Sequence, residues 1–381
     1  MTSLGSPGDT DRDHDHDRIR RLIQRSRAVI AQHQHANGAY PASPTFSAYR
    51  GYSWLRDGAF IAEGMSRAGD RASATAFHDW IAERLTERRG EVAVLLRRAE
   101  ARQPLVPADM LPTRFAIEPG GDPDTWWNFQ TDGYGMWLWA VVEHATRHGL
   151  SLDTWKDGIE VASDYATGFW DVACYDWWEE NVDQRHVSTL GALYGGLNAV
   201  AGAGVLDVPR RRAAAKAAAL IRELILSDGL VGRPPRMAKW LGSDAVDASL
   251  AACVVPFGVL EPGDPIARAT LDAIRAELDA DGGVHRYTAD VFYGGGQWLL
   301  LSALVGWNEA RAGDRNAAFA RLQWIGEHVA AHDEMPEQVG DHLLHPESRQ
   351  EWVDRWGPVA TPLLWSHGMY LILAAELGLV E

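Results

Sequence analysis

From Ile19 onward the chain alternates between two kinds of helical segment, and this alternation is what most limits the folds open to it. Residues 209–226 and 265–278 are amphipathic and charge-decorated, whereas residues 190–203 and 363–375 are small-residue-rich and apolar on most sides. An amphipathic helix needs cover along one stripe, and a helix that is apolar all round needs it on every flank. An inner ring of helices wrapped by an outer ring meets both needs.

Hydrophobic periodicity marks about twelve helices, and no convincing run of strands. They fall at residues 19–34, 57–69, 132–149, 154–170, 186–204, 209–229, 245–258, 265–283, 296–305, 314–331 and 361–378, with a long striped stretch over 70–100. The expected fold class is therefore all-α, an (α/α)6 barrel. A stacked helical repeat is the competing architecture, but no signature recurs at a fixed period. The barrel is expected to occupy residues 19–381 as a single domain. Residues 1–18, "MTSLGSPGDTDRDHDHDR", are read as a disordered polar tail, its His/Asp alternation being a solvated run rather than a metal site.

The net charge of −16 argues against nucleic acid and anionic membrane surfaces as partners. With two cysteines there is no disulfide framework, and the N-terminus carries no apolar run, so a cytoplasmic protein is expected. The histidines lack ligand spacing such as HExxH and no compact oxygen-ligand loop is evident, so neither a cofactor nor a metal is expected. Oligomeric state is left open.

The 17 tryptophans are the compositional anomaly. Many belong to a core, but others lie beside Asp, Glu, Arg, Asn and Gln, a mixture suited to polar ligands with C–H faces, such as sugars. Polar clusters fall where loops enter the inner helices: "YSWLRDG" (52–58), "WWNFQTDG" (126–133), "CYDWWEENVDQRH" (174–186), "HRYTADVFYGGGQW" (285–298) and "HDEMPEQVG" (332–340). Asp57 and Asp132 are placed where an N-cap would be, which is the plain alternative to a binding role. Two of the clusters carry glutamates. Glycosidic hydrolysis uses two carboxyl groups, one protonated to assist the leaving oxygen and one ionised to activate water or attack. Stacked aromatic rings around Glu179 would favour its protonated form.

Six motifs in order, "WLRDG" (54–58), "QTDGYG" (130–135), "DWWEE" (176–180), "HRYTADVFYGG" (285–295), "PEQVG" (336–340) and "WSHGMY" (365–370), make the chain resemble the glucoamylase-type inverting glycoside hydrolases of family 15. The resemblance spans almost everything after the tail. It implies an (α/α)6 barrel with an axial pocket that removes glucose from non-reducing ends with inversion. It makes Glu179 the general acid and Glu337 the general base. Arg56 and Asp57 would grip the terminal glucose, Trp54 would line that subsite, and Arg286 would be a second sugar-gripping arginine. Trp126, Trp178 and Glu180 would surround the leaving group. An inverting pair stands roughly 6.5–9.5 Å apart, leaving room for a water.

The chain departs from the family pattern in places. A glycine interrupts "YRGYSW", so a base-supporting tyrosine is not assigned between Tyr49 and Tyr52. The 27 residues between Glu337 and Trp365 exceed the glucoamylase spacing and could wall one side of the pocket, restricting substrate length. With no export signal and no starch-binding domain, small α-gluco-oligosaccharides are the expected substrates. Isomaltose and other short α-1,6-linked glucosides come first, trehalose or maltooligosaccharides next. A trehalase or glucoamylase acting on α,α-1,1 or α-1,4 linkages remains the alternative, and a non-catalytic carbohydrate-binding protein the alternative of another class. A phosphorylase would need a phosphate pocket in place of the base, which Glu337 opposes.

Overall fold

The computed structural model describes residues 7–118, 126 and 129–380, with the backbone alone for residues 7–15. Its helices are α1 (Pro7–His33), α2 (Leu55–Arg67), α3 (Arg71–Thr86), α4 (Arg89–Glu100), α5 (Asp132–His148), α6 (Lys156–Phe169) and α7 (Val187–Gly202). The second half adds α8 (Val208–Asp228), α9 (Ala251–Val254), α10 (Pro265–Leu278), α11 (Leu299–Arg311), α12 (Arg315–Glu327), α13 (Arg349–Trp356) and α14 (Leu364–Glu376). Helices α2, α5, α7, α9, α11 and α14 pack each on the next and close back on α2. Outside them, α1, α3, α6, α8, α10 and α12 cover the seams. This is the (α/α)6 barrel expected from the alternation. Burial explains it: α2 buries every residue from Leu55 to Ser66, whereas α10 buries one stripe of Ala267, Thr270, Leu271, Ile274 and Leu278.

Small residues let the inner helices approach. A Cβ on Gly196 of α7 would lie 2.2 Å from the Gly135 carbonyl oxygen of α5, a backbone atom that cannot swing aside. Gly196→Ala is therefore expected to destabilise the barrel by about 1–3 kcal/mol through overpacking. A denaturant midpoint that did not move would contradict this account of the α5–α7 crossing.

The structure corrects several boundaries. Helix α1 already runs through residues 7–18, the described part of the segment read as a disordered tail. The strongly helical stretch after Ile19 propagates backwards through the polar residues. The stretch over 70–100 is two helices, with Glu87 and Arg88 between them and Gly90, a poor helix former, in the first turn of α4. Residues 245–258 form a 3-10 turn, Ala248–Leu250, followed by the single turn of α9. Pro256 ends it, since the residue before a proline avoids the helical region and Val255 is extended. Helix α13, in the long gap before Trp365, was not anticipated.

The short strands sit at the barrel mouth and aim side chains. β1 (Tyr52–Trp54) pairs antiparallel with β2 (Arg114–Ala116) and runs straight into α2. β3 (Leu230–Val231) and β4 (Arg236–Met237) form a second hairpin. β5 (Asp279–Ala280), β6 (Gly283–Val284), β7 (Gln297–Trp298) and β8 (Gln338–Val339) form a four-stranded antiparallel sheet. That sheet holds Arg286, just after β6, near Glu337, just before β8. Among the described residues, no helix is long and apolar enough to cross a membrane.

Candidate active site

All nine residues singled out from the sequence line one cavity of about 180 Å³ at the mouth: Trp54, Arg56, Asp57, Trp126, Trp178, Glu179, Glu180, Arg286 and Glu337. They arrive from five separate segments, at 54–57, 126, 178–180, 286 and 337, which is why no short stretch contains the site.

The first turn of α2 supplies Arg56 and Asp57. Asp57 does not cap the helix: the capping position is Trp54, and no side chain closes that end. Likewise Thr131, not Asp132, precedes α5, with no side-chain cap. Both aspartates instead face Arg56, whose Nη1 donates to Gln130 Oε1 at 2.6 Å and lies 3.5 Å from Asp132 Oδ2, while its Nε lies 3.5 Å from Asp57 Oδ2. Burial pushes the Asp57 carboxyl up to about 6 against the pull of Arg56. The buried Arg56 Nε and Asp57 Oδ2 make no hydrogen bond within the chain. A donor and an acceptor side by side, both desolvated, are suited to adjacent hydroxyls of a sugar.

The acidic corner is built by Asp176. Its Oδ1 accepts from the Trp178 and Glu180 backbone N–H groups, each at 2.9 Å, and its carbonyl accepts from Glu179 N at 3.0 Å. The turn forces Glu179 to φ +64°, a conformation that costs about 1 kcal/mol or more for a non-glycine residue and persists when the surroundings over-determine it. The apolar shell expected around Glu179 is not what the fold provides. Trp54 Nε1 donates to Oε1 at 2.6 Å, Gln130 Nε2 to the same oxygen at 3.2 Å, and Trp126 Nε1 to Oε2. The tryptophans turn their N–H edges to the carboxylate, so the aromatic composition around it is polar in effect.

Glu337 is held differently. Its backbone N–H donates to Ala360 O at 2.9 Å, and its side chain is buried, with Oε1 accepting from the Tyr49 hydroxyl at 3.2 Å. Burial pushes its carboxyl up to about 8, only partly offset by the charge of Arg286. Tyr49, and not Tyr52, is thus the tyrosine at Glu337. Burial and then the Glu337 charge push its hydroxyl well above the usual range, keeping it a donor. Arg286 is locked by Asp290, with Nε donating to Oδ2 at 2.7 Å and Nη2 to Oδ1. Its guanidinium lies over the rings of Trp178 and Phe292, 5.2 Å from each centroid. Glu180 accepts from the Tyr287 hydroxyl and stands 3.5 Å from Arg286.

Helix α13 closes one side, bringing Trp352, Arg355 and Trp356 to the cavity. Trp352 packs edge-on against Phe292 at 4.9 Å, and the Trp356 and Trp126 centroids are 6.1 Å apart. The pair at i and i+4 in "EWVDRW" was the signal for a helix with an aromatic face. Gln130 and Trp365 were also missed as site residues although both lie inside quoted motifs; Arg56 sits 5.5 Å over the Trp365 ring.

Paired glutamates on facing loops of an (α/α)6 barrel, in a pocket edged with tryptophans and arginines, define an inverting glycoside hydrolase. The chain belongs to glycosyl hydrolases family 15, whose model matches residues 18–353. It is 58% identical over 368 residues to the isomaltose glucohydrolase of Kribbella flavida, covering 96% of this chain and 95% of that protein. A solved wild-type glycosidase matches with a TM-score of 0.94 and 57% identity over the full length of both chains, as does a glutamate-to-alanine variant of a glycosidase in complex with glucose. The Hormoconis resinae glucoamylase shares the fold, at a TM-score of 0.65 and 14% identity over 94% of this chain and 73% of that one.

Proposed function

We propose that the enzyme releases β-glucose from the non-reducing end of short α-1,6-linked glucosides, isomaltose first, by an inverting mechanism. The observation that carries the reading is the convergence of Glu179, Glu337, Arg56 and Asp57 on one small pocket walled by α13. The near full-length likeness to an isomaltose glucohydrolase and to a glycosidase solved with glucose supports the substrate. Arg56 and Asp57 hold adjacent hydroxyls of the terminal glucose, with Trp54 and Arg286 completing that subsite. Trp126, Trp178 and Glu180 surround the leaving sugar. As the bond from the anomeric carbon to the glycosidic oxygen breaks, Glu179 gives that oxygen its proton. A water attacks the opposite face of the anomeric carbon and passes its proton to Glu337. The products are β-glucose and the shortened sugar with a free hydroxyl at the former linkage, which is a second glucose when isomaltose is cut. Action in the cytoplasm on small oligosaccharides belongs to the same reading, with which two free, buried cysteines are compatible.

The test is a comparison of kcat/KM on isomaltose, isomaltotriose, panose, maltose and trehalose. Isomaltose is expected to be the best substrate, by at least about tenfold over maltose, the discrimination that one or two pocket contacts supply. Maltose or trehalose in first place would overturn the linkage. Trp352→Ala, which opens the α13 wall, is expected to raise KM for isomaltose by roughly tenfold through lost apolar contact. Its kcat/KM for isomaltotriose relative to isomaltose should rise. An unchanged ratio would remove α13 from the control of chain length.

A further inference from the structure

Behind the Glu179 turn lies a buried ionic cluster centred on Lys239 and Asp247, which neither the sequence motifs nor the chemistry above uses. Lys239, between β4 and α9, is 4% exposed at its side chain. Its Nζ stands 3.0 Å from Asp247 Oδ2 and 3.7 Å from Asp176 Oδ2. The same ammonium lies 3.2 Å from the centroid of the Tyr287 ring, whose hydroxyl donates to Glu180. Each of these three neighbours fixes a different part of the turn. Asp176 accepts from the N–H groups of Trp178 and Glu180. Asp247 accepts from Trp178 Nε1 at 2.9 Å, and is itself anchored by the Ser249 N–H and hydroxyl. Tyr287 holds the Glu180 carboxylate.

Asp176 Oδ2 makes no hydrogen bond within the chain; facing it are the Lys239 ammonium and, at 4.0 Å, the ring Nδ1 of His186. The Lys239 backbone is also pinned, its carbonyl accepting from Val187 N at the start of α7 and its N–H donating to Ala245 O. The ammonium is thus a fixed point charge that ties the turn to the barrel wall through two carboxylates and a ring. Without it, two buried carboxylates would face each other across the base of the turn, and their repulsion would act on the backbone that forces Glu179 to its left-handed conformation.

We propose that Lys239 is a positioning residue for the general acid: it holds the 176–180 turn so that the Glu179 carboxyl meets the glycosidic oxygen. This rests on the reading of Glu179 as the acid. A lysine that only stabilised the fold would affect all substrates alike. One that positions the acid matters where the leaving group needs a proton, and little where it does not.

The experiment measures Lys239→Met and Glu179→Gln side by side on isomaltose and on α-glucosyl fluoride, whose fluoride leaves without protonation. Lys239→Met is expected to lower kcat on isomaltose by about 10²-fold, the loss that a misplacement near 1 Å produces. KM should stay within about twofold, kcat on the fluoride within about threefold of the parent, and Lys239→Arg should recover part of the isomaltose loss. If Lys239→Met does not fold, Lys239→Gln, which keeps one donor toward Asp247, is held to the same pattern. Equal losses on both substrates, or no loss on isomaltose, while Glu179→Gln spares the fluoride, would overturn the role of Lys239 alone. If Glu179→Gln loses both substrates equally, the assignment of the acid falls and the inference with it.

Discussion

Glu337→Gln is expected to lower kcat on isomaltose by about 10³–10⁴-fold, the upper range for loss of a general base, and to make the protein more stable at alkaline pH. Both effects follow from one carboxylate in a buried place. Its carboxyl is pushed up to about 8, so between the ordinary glutamate range and that value the folded state holds a proton that the unfolded chain has released. Where the folded state binds more protons, stability falls as pH rises. The penalty is therefore absent below the unfolded value, grows as pH rises through the folded one, and is complete above it. Glutamine accepts from Tyr49 as glutamate does and carries no charge, so the variant's thermal midpoint should exceed the parent's by at least about 2 °C at pH 8 and match it at pH 4.5. The same shift acts on catalysis. A base must be ionised, so the acid limb of kcat/KM is expected near neutrality instead of in the ordinary carboxylate range. An acid limb below pH 5, with equal midpoints of parent and variant at pH 8, would remove Glu337 as a buried base.

The second large effect is expected from Arg56. Replacing it by methionine should lower kcat/KM on isomaltose by roughly 10³-fold or more, because charge-assisted bonds to substrate hydroxyls are lost and buried acceptors are left unmatched. Arg56 also restrains its neighbours. Its charge is the largest force opposing the burial-driven rise of the Asp57 and Asp132 carboxyls. Without it, both should take up protons at higher pH, and Asp57 would present a hydroxyl where the sugar needs an acceptor. The loss should therefore deepen as pH falls from 8 to 6, measured as the parent-to-variant ratio of kcat/KM. A pH-independent loss would mean that Arg56 contributes its own contacts and does not hold Asp57 ionised.

The ring architecture was legible in the sequence because burial on all sides, as in α7 and α14, leaves a compositional mark that a half-buried helix such as α10 does not. The members of the site were legible mainly through the six motifs that carry the family resemblance, helped by their place in polar clusters where loops enter the inner helices. Their partners were less so. Nothing local distinguishes Tyr49 from Tyr52, because the choice is made by the turn before β1, which brings Tyr49 to Glu337 while Tyr52 enters the strand and pairs with Ala116. Lys239 and Asp247 lie in ordinary-looking loops and acquire meaning only when β4 and the 3-10 turn before α9 bring them beneath Asp176. The environment of Glu179 was misread for a physical reason. A tryptophan is apolar on its faces and a donor at its edge, and sequence does not say which is presented. Helix α13 escaped because its polar outer face masked the aromatic pair at i and i+4.

The central claim is inversion at an α-1,6 linkage, and it is tested most directly by proton NMR of the glucose released from isomaltose in the first minutes, before mutarotation equilibrates the anomers. The account predicts that the β-anomer signal of the newly released glucose appears first and decays toward equilibrium only later. Early accumulation of α-glucose would contradict the two-carboxylate inverting assignment of Glu179 and Glu337.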